Sequence, residues 1–303
     1  MKDRALLLPY SKWQEAMRIA IAASAAIVVT ACSGDPSAEF EGSRALELVV
    51  AQVELGPRYP GSPGHGAVQK WIGTQLEEAG WQTAAASFPY RGRTLTNISA
   101  SLDGSLGPLI LLGAHYDTRR LADRDPTRPD LPVPGANDGG SGVAVLLELA
   151  RLIPKREFAC DIRLAFFDGE DNGRLDEWEW AVGSRQFAQG LEREPLAVVI
   201  VDMVGDRDLD LPIERTSSPD LADEIWQAAA RRGLEAFRAE PGPSVLDDHT
   251  AFLSRGWRAV DIIDLSYPAW HTTEDTPDKL SAESLDQVGE ALLAWLETIC
   301  VDQ

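Results

Sequence analysis

Four short, almost unbroken apolar runs constrain this chain more than any other feature: 108–114 (PLILLGA), 160–168 (CDIRLAFFD), 197–204 (AVVIVDMV) and 258–265 (RAVDIIDL). A strand that is apolar at successive positions has no face to give to water, so it must be covered on both sides. Helical patterns fall between the runs, at 140–153, 183–191, 219–232 and 249–255, with another at 281–299. Strands joined through helices run parallel, and helices on both faces supply the cover. The pattern predicts an α/β fold of three layers, α/β/α, around a central, mostly parallel twisted sheet. Two further helices are predicted ahead of it, at 43–55 and 67–79. The second stops at Gly80, a residue suited to the left-handed turn that ends a helix.

The polar residues of these runs sit at their carboxyl ends. His115 and Asp117 close the first, Glu170 and Asp171 follow the second, Asp202 ends the third, and His271 lies in the loop after the fourth. Ligands of open α/β sheets bind beyond such strand ends, so one rim collects imidazoles and carboxylates. Singly, each segment has an ordinary explanation: Asn137-Asp138-Gly139-Gly140 reads as a helix cap, Glu170-Asp171 as a solvated turn, His271-Thr272-Thr273 as another cap. Together, at consecutive strand ends, they suit a metal ion. Zinc accepts imidazole nitrogen and carboxylate oxygen, and a catalytic zinc site keeps one position open. In Glu170-Asp171 one carboxylate can be held on the metal and the other left free as general base or acid. A free carboxylate crowded by others has a raised pKa, which suits it to carrying a proton.

Composition narrows the alternatives. Lys2, Arg4, Lys12 and Arg18 precede the run at 19–31 (IAIAASAAIVVTA), which is short for a membrane span, rich in small residues, and reads as a signal h-region. It ends in Val29-Thr30-Ala31-Cys32, similar to the bacterial lipobox, which implies cleavage before Cys32 and lipidation of that residue. The expectation is an exported bacterial lipoprotein, membrane-anchored and facing the periplasm or the outside. Residues 1–31 are then a signal peptide, 32–43 a tether and 44–303 a single catalytic domain. Cys160 and Cys300 can pair in an oxidising compartment, but they make neither a disulfide scaffold nor a thiolate metal cluster. A net charge of −20 with no lysine/arginine cluster repels a phosphate backbone, so nucleic acid is not an expected partner.

The segments GAHYDT, PGANDGGSGVAVLLELAR, FFDGED, VDMVG and YPAWHTTEDTPDKLS resemble those of the M28 metallopeptidase superfamily, over nearly all of the chain beyond the tether. That superfamily holds di-zinc aminopeptidases and zinc-dependent glutaminyl-peptide cyclotransferases. The resemblance implies that Asp138, Asp171 and His271 are ligands of the principal zinc. It implies that His115 and Asp202 bind the second zinc of the aminopeptidases, that Glu170 is the general base and acid of both branches, and that the Asp138–Gly139 peptide is cis.

Three features are similar to the cyclotransferase branch. RYPGSPG and FPYRGRTLTNISASL look like its opening segments. In LDDHTAFLSRG, Asp247 matches an aspartate that joins a hydrogen-bonded proton relay with Glu170 and Asp202, and His249 matches a histidine of the same signature, a candidate for substrate binding. Trp270, directly before His271, matches a tryptophan that walls the substrate pocket. The sequence also departs from the animal members. Their disulfide near the first histidine is absent, because the matching positions are Ala114 and Val143, and Asp171 stands where they carry glutamate. The loop after Asp171 differs, which leaves Trp178 and Trp180 as candidate partners of Trp270. The resemblance therefore implies zinc-dependent cyclisation of amino-terminal glutamine in peptides and proteins to pyroglutamate, with release of ammonia and one zinc ion. The alternative is a di-zinc aminopeptidase that hydrolyses amino-terminal residues.

Overall fold

The computed structural model describes residues 39–104 and 107–301. The expected signal peptide, Cys32 and most of the tether lie outside the described residues. None of the helices in the described part is long and apolar enough to cross a membrane.

The described part opens with two helices, α1 (Gly42–Glu54) and α2 (Pro63–Glu78), followed by a hairpin of β1 (Gln82–Tyr90) and β2 (Arg93–Ser101). Then comes the alternation anticipated from the apolar runs: β3 (Leu109–His115), α3 (Gly140–Leu152), β4 (Asp161–Phe167), α4 (Val182–Gly190) and β5 (Ala197–Asp202). A small parallel pair, β6 (Leu211–Ile213) and β7 (Phe237–Pro241), brackets α5 (Pro219–Arg232). The chain closes with α6 (His249–Leu253), β8 (Ala259–Ile263) and α7 (Ala282–Ile299).

The main sheet has the order β1-β2-β4-β3-β5-β8. β4, β3, β5 and β8 run parallel, and β2 and β1 extend the sheet in the antiparallel sense. The connection leaving β3 leads to one side and that leaving β5 to the other, so the gap between these neighbours is a topological switch point, where such sheets open a binding crevice.

Both faces are covered, as the unbroken apolar strands require. Ile110, Leu112 and Ala114 of β3 join Ile162, Leu164 and Phe166 of β4 in the larger core, with residues of α1, α2, α3, α5 and α7. The alternate residue Leu111 joins Ala165, Phe167, Val198 and Ile200 in a smaller core on the other face, under α4 and α6. Cys160 and Cys300 form a disulfide that ties the start of β4 to the end of α7.

The β1–β2 hairpin is not legible as apolar strands because it lies at the sheet edge. β1 is mostly exposed and carries Pro89, which an edge strand tolerates. Its two-residue turn places Arg91 at φ 43° and Gly92 at φ 75°, the paired positive angles that suit the twist of a hairpin.

Glycines mark where helix and sheet approach most closely. A Cβ on Gly142 would lie 2.0 Å from the Val201 carbonyl oxygen, so α3 can rest on β5 only because this side chain is absent. Gly73 in α2 has open space around it. Gly142→Ala should cost about 1–3 kcal/mol by overpacking, whereas Gly73→Ala should add up to about 1 kcal/mol through helix propensity. Urea unfolding of the two variants checks this: equal effects would show that close helix–sheet contact does not govern stability here.

Candidate metal and catalytic site

The carboxyl ends of the parallel strands bring five buried side chains together. His115 is the last residue of β3 and Asp202 the last of β5; Asp138 comes just before α3, Asp171 after β4 and His271 after β8. His115 Nε2 lies 3.2 Å from Asp138 Oδ1 and 3.1 Å from Asp202 Oδ1. His271 Nε2 lies 3.1 Å from Asp171 Oδ1 and 3.6 Å from Asp138 Oδ2. Two triads result, Asp138–Asp171–His271 and His115–Asp138–Asp202, and in each the ligand atoms lie within 4.8 Å of one another. Asp138 belongs to both.

Buried polar groups hold these residues in place. Asp117 accepts hydrogen bonds from the Glu170 N–H (3.0 Å), the Asp171 N–H (3.4 Å) and Asn172 Nδ2 (3.2 Å), which fixes the turn after β4. Asp275 accepts from the N–H groups of Asn137 (2.8 Å) and Asp138 (3.1 Å) and from the Tyr267 hydroxyl (2.8 Å). Arg119 grips Asp123 through Nε (2.7 Å) and donates to the Asp171 carbonyl (2.8 Å). Asp123 Oδ1 in turn lies 3.5 Å from His271 Nδ1, the carboxylate–imidazole arrangement that orients a metal-binding histidine. The fully buried Arg58 donates to the carbonyls of Tyr116 (3.1 Å) and Pro134 (3.0 Å), bracing the approach to Asp138. In the sequence these residues look like ordinary surface charges. Only the fold shows what they support.

The donor set fits a cation. Asp138 Oδ2 and Asp171 Oδ2 are buried without a hydrogen-bond partner, a costly arrangement unless a positive ion receives them. Burial, with the charge of Asp138 beside it, pushes the Asp171 carboxyl up to about 7. Burial likewise holds Glu170 well above the usual carboxylate range; His115 opposes the shift, and Asp248, Asp171 and Asp202 reinforce it. Asp247 is raised well above its ordinary value by burial and by Asp261, Asp202 and Glu170. His115 is raised despite burial, because Asp202, Asp117 and Asp138 favour its charged form. The rim is short of positive charge.

Above the Asp138–Asp171–His271 triad opens a cavity of about 190 Å³, lined among others by Glu170, Asp202, Asp247, Trp180 and Trp270. The Trp270 ring lies 4.1 Å from that of His271, under the Arg124 guanidinium at 3.9 Å. Trp180 stacks on His271 as well, with the two rings 6.0 Å apart and 12° from parallel. Trp180 is thus the partner of Trp270, while Trp178 turns away to meet Tyr90 edge-on at 5.0 Å. Three non-glycine residues at the site have left-handed backbone, Arg174 (φ 67°), Met203 (φ 48°) and His271 (φ 59°). Such conformations cost of order 1–3 kcal/mol and persist where surrounding structure imposes them.

The profile of peptidase family M28 matches residues 97–296, which contain every residue of both triads. The chain belongs to the M28 family. The glutaminyl-peptide cyclotransferase of Boiga irregularis is 28% identical over 286 residues, covering 79% of this chain and 76% of that protein. The crystal structure of a Bacteroides thetaiotaomicron glutaminyl cyclase bound to N-acetylhistamine matches with a TM-score of 0.81 and 30% identity, covering 88% of this chain and 99% of that one. A structure described as a leucine aminopeptidase precursor from the same organism matches with a TM-score of 0.81 and 30% identity, over 88% and 98% of the two chains.

Two expectations from the M28 resemblance are corrected by the geometry. No peptide bond among the described residues is cis; after Asp138 the chain turns instead through Gly139 at φ 79°. Asp247 lines the same cavity as Asp202. Its Oδ1 accepts from the Asp248 N–H, and Asp202 is engaged by His115, so the carboxylates influence one another through space. His249 does not line the cavity. It is completely buried, because α6 packs its first turn against β8, with Nδ1 3.3 Å from Asp261 and Nε2 3.3 Å from Glu214 and 2.9 Å from the Thr216 hydroxyl.

This histidine is a charged strut in the M28 scaffold. Burial opposes its charge, yet Asp261 and Glu214 outweigh that cost and raise its pKa to about 9. Burial also pushes Glu214 upward, but His249 and the N–H groups of Thr216 and Val245 hold it down at about 2. Because the folded pKa of His249 exceeds the unfolded value of about 6.5, its contribution is complete below that pH and fades as pH rises towards 9. The melting-temperature gap between the unmodified protein and His249→Gln should therefore be widest below pH 6.5 and narrow progressively towards pH 9. A gap independent of pH would show that the strut is not charged.

Proposed function

We propose that this protein is a zinc-dependent glutaminyl cyclase, converting amino-terminal glutamine of peptides and proteins to pyroglutamate with release of ammonia. The observation that carries the reading is the narrow cavity over the Asp138–Asp171–His271 triad, with Trp180 and Trp270 as walls and Glu170 and Asp247 beside the metal ligands. The likeness to glutaminyl cyclases supports it. Zinc held by Asp138, Asp171 and His271 would supply Lewis acidity towards the γ-carbonyl of the glutamine.

The remaining work falls to the chain's own groups. The α-amine nitrogen bonds to Cδ, the carbonyl carbon of the side-chain amide, the bond from that carbon to the amide nitrogen breaks, and the proton lost by the amine leaves with the ammonia. Glu170 is placed to take that proton and hand it on, and its raised pKa suits a group that must both accept and return it. Asp247, also raised by burial and by the charges of Asp261, Asp202 and Glu170, lines the same cavity. Trp180 and Trp270 hold the side chain folded back towards its own amine and exclude water, so the ring closes at high effective concentration.

A second reading has its own observation. The triad His115–Asp138–Asp202 shares Asp138 with the first, an arrangement that can seat two ions, as a di-zinc aminopeptidase uses. Products and metal content separate the two. A cyclase releases ammonia and pyroglutamyl peptide from glutaminyl substrates, releases no leucine from leucyl substrates and holds about one zinc per chain; leucine release with two tightly held zinc ions would select the aminopeptidase. Glu170→Gln should retain zinc and lose about 10²–10⁴-fold in turnover. Near-normal turnover in that variant, fully loaded with zinc, would remove Glu170 from the mechanism.

We further propose, from the basic residues, apolar run and lipobox-like segment before Cys32, that the protein is exported and anchored through lipidated Cys32. Expressed in a bacterial host, it should partition into detergent, and Cys32→Ser should move it to the aqueous phase. Aqueous partitioning of the unmodified protein would exclude the anchor.

A further inference from the structure

A second cavity, of about 400 Å³, lies against the turn that carries the metal ligand Asp171. Its lining includes Arg91, Arg93 and Arg120, with Asn172, Tyr59 and Trp178. In a chain of net charge −20, three guanidinium groups around one cavity stand out as a local reversal of sign. Two of them are engaged: Arg91 Nη1 lies 3.2 Å from Glu177, and Arg120 Nη2 donates to Asp176 at 2.5 Å. Arg93 has neither a hydrogen-bond nor an ion-pair partner among the described residues. Its guanidinium lies over Gly61, where a Cβ would come 2.6 Å from Nη1, so the backbone leaves room for it. Trp178 supplies an apolar wall and is itself held edge-on by Tyr90.

The two cavities share one stretch of chain. Asp171, Arg174 and Trp180 line the catalytic cavity, whereas Asn172, Leu175, Asp176 and Trp178 line the basic one. The stretch between them is shaped by three non-glycine residues with left-handed backbone, Arg174 (φ 67°), Asp176 (φ 48°) and Glu177 (φ 63°). Residues of one stretch thus line both cavities. A substrate with its amino terminus in the catalytic cavity is taken to run, extended at about 3.3 Å per residue, along that stretch towards the basic cavity.

We propose that the basic cavity is a substrate subsite that receives a carboxylate side chain a few residues beyond the amino terminus, so that the protein prefers acidic peptides. Arg93 is the residue that captures the carboxylate, because its fork of N–H donors is free and matches carboxylate geometry. Arg91 and Arg120 neutralise Glu177 and Asp176, which leaves the charge of Arg93 unopposed. A free inorganic anion presents the same chemistry, and the test separates the two sources. The assignment of the carboxylate to substrate rests on the cyclase reading; the anion site does not.

The experiment compares the amides of Gln-Gly-Gly-Gly and Gln-Gly-Glu-Glu as substrates of the unmodified protein and of Arg93→Gln, a change at an exposed position. The acidic peptide should have a KM about tenfold lower than the neutral one, with similar kcat, and the advantage should vanish in Arg93→Gln while the neutral peptide is unaffected. Arg93→Lys should recover part of it. Equal KM values, or an acidic preference that survives Arg93→Gln, overturn the proposal and leave the cyclase reading intact. Inhibition by inorganic phosphate that depends on Arg93, without any peptide preference, assigns the cavity to free anions and also overturns it. Calorimetric binding of the pyroglutamyl-Gly-Glu-Glu amide needs no turnover. If neither substrate is cyclised yet this peptide binds in an Arg93-dependent manner, the cyclase reading falls and the subsite stands.

Discussion

The carboxylate of Asp138 is the point on which the rest of the site depends. It sits between two imidazoles, within 3.2 Å of His115 and 3.6 Å of His271, and belongs to both candidate metal triads. A buried carboxylate is costly unless its oxygens are satisfied, and here one oxygen has no hydrogen-bond partner. Much of the nearby structure serves that residue. Asp275 clamps its N–H, Tyr267 holds Asp275, and Gly139 at φ 79° turns the chain directly into α3. The close rest of that helix on β5 through Gly142 then fixes Asp138 relative to Asp202.

Around this centre the protein maintains an excess of buried acid, and the two clusters of acid are treated differently. Towards the cavity, Glu170 and Asp247 are raised by burial and by one another's neighbours, so they hold protons readily. Behind it, Glu214 is held at about 2 by His249 and by backbone N–H groups. A group that exchanges protons must lie near its transition at working pH, whereas a strut must stay charged. Glu214 has the His249 imidazole 3.3 Å away and several N–H donors, whereas Glu170 and Asp247 are crowded chiefly by other carboxylates.

Aromatic and basic side chains set access. Trp180 and Trp270 approach His271 from two sides, and Arg119 and Arg124 lie over their outer faces at 5.1 Å and 3.9 Å. These stacked cations rigidify the walls without bringing charge into the cavity. Arg119 also grips Asp123 and the Asp171 carbonyl, so the wall and the ligand turn are one mechanical unit.

The sequence by itself determined the layered α/β architecture, because strands apolar at nearly every position have to be buried on both faces, and it placed Asp171, His271, His115, Asp202 and Glu170 at one rim because strand ends in such a sheet share a side. Asp138 was reached only through the resemblance to the M28 family. It showed neither the β1–β2 hairpin, whose exposed strand carries no apolar pattern, nor the small β6–β7 pair. Tertiary structure alone decided the finer assignments. It chose Trp180 over Trp178, since both follow Asp171 closely and only the course of the chain, with left-handed residues before Trp178 and after Trp180, settles which faces the cavity. It moved His249 from the cavity into the scaffold, since a histidine opening a helix can face either way until the packing of that helix on β8 is known. It also revealed Asp275, Asp123, Arg119 and Arg58 as supports. Their partners lie up to 138 residues away for Asp275, and no local pattern encodes a contact of that span.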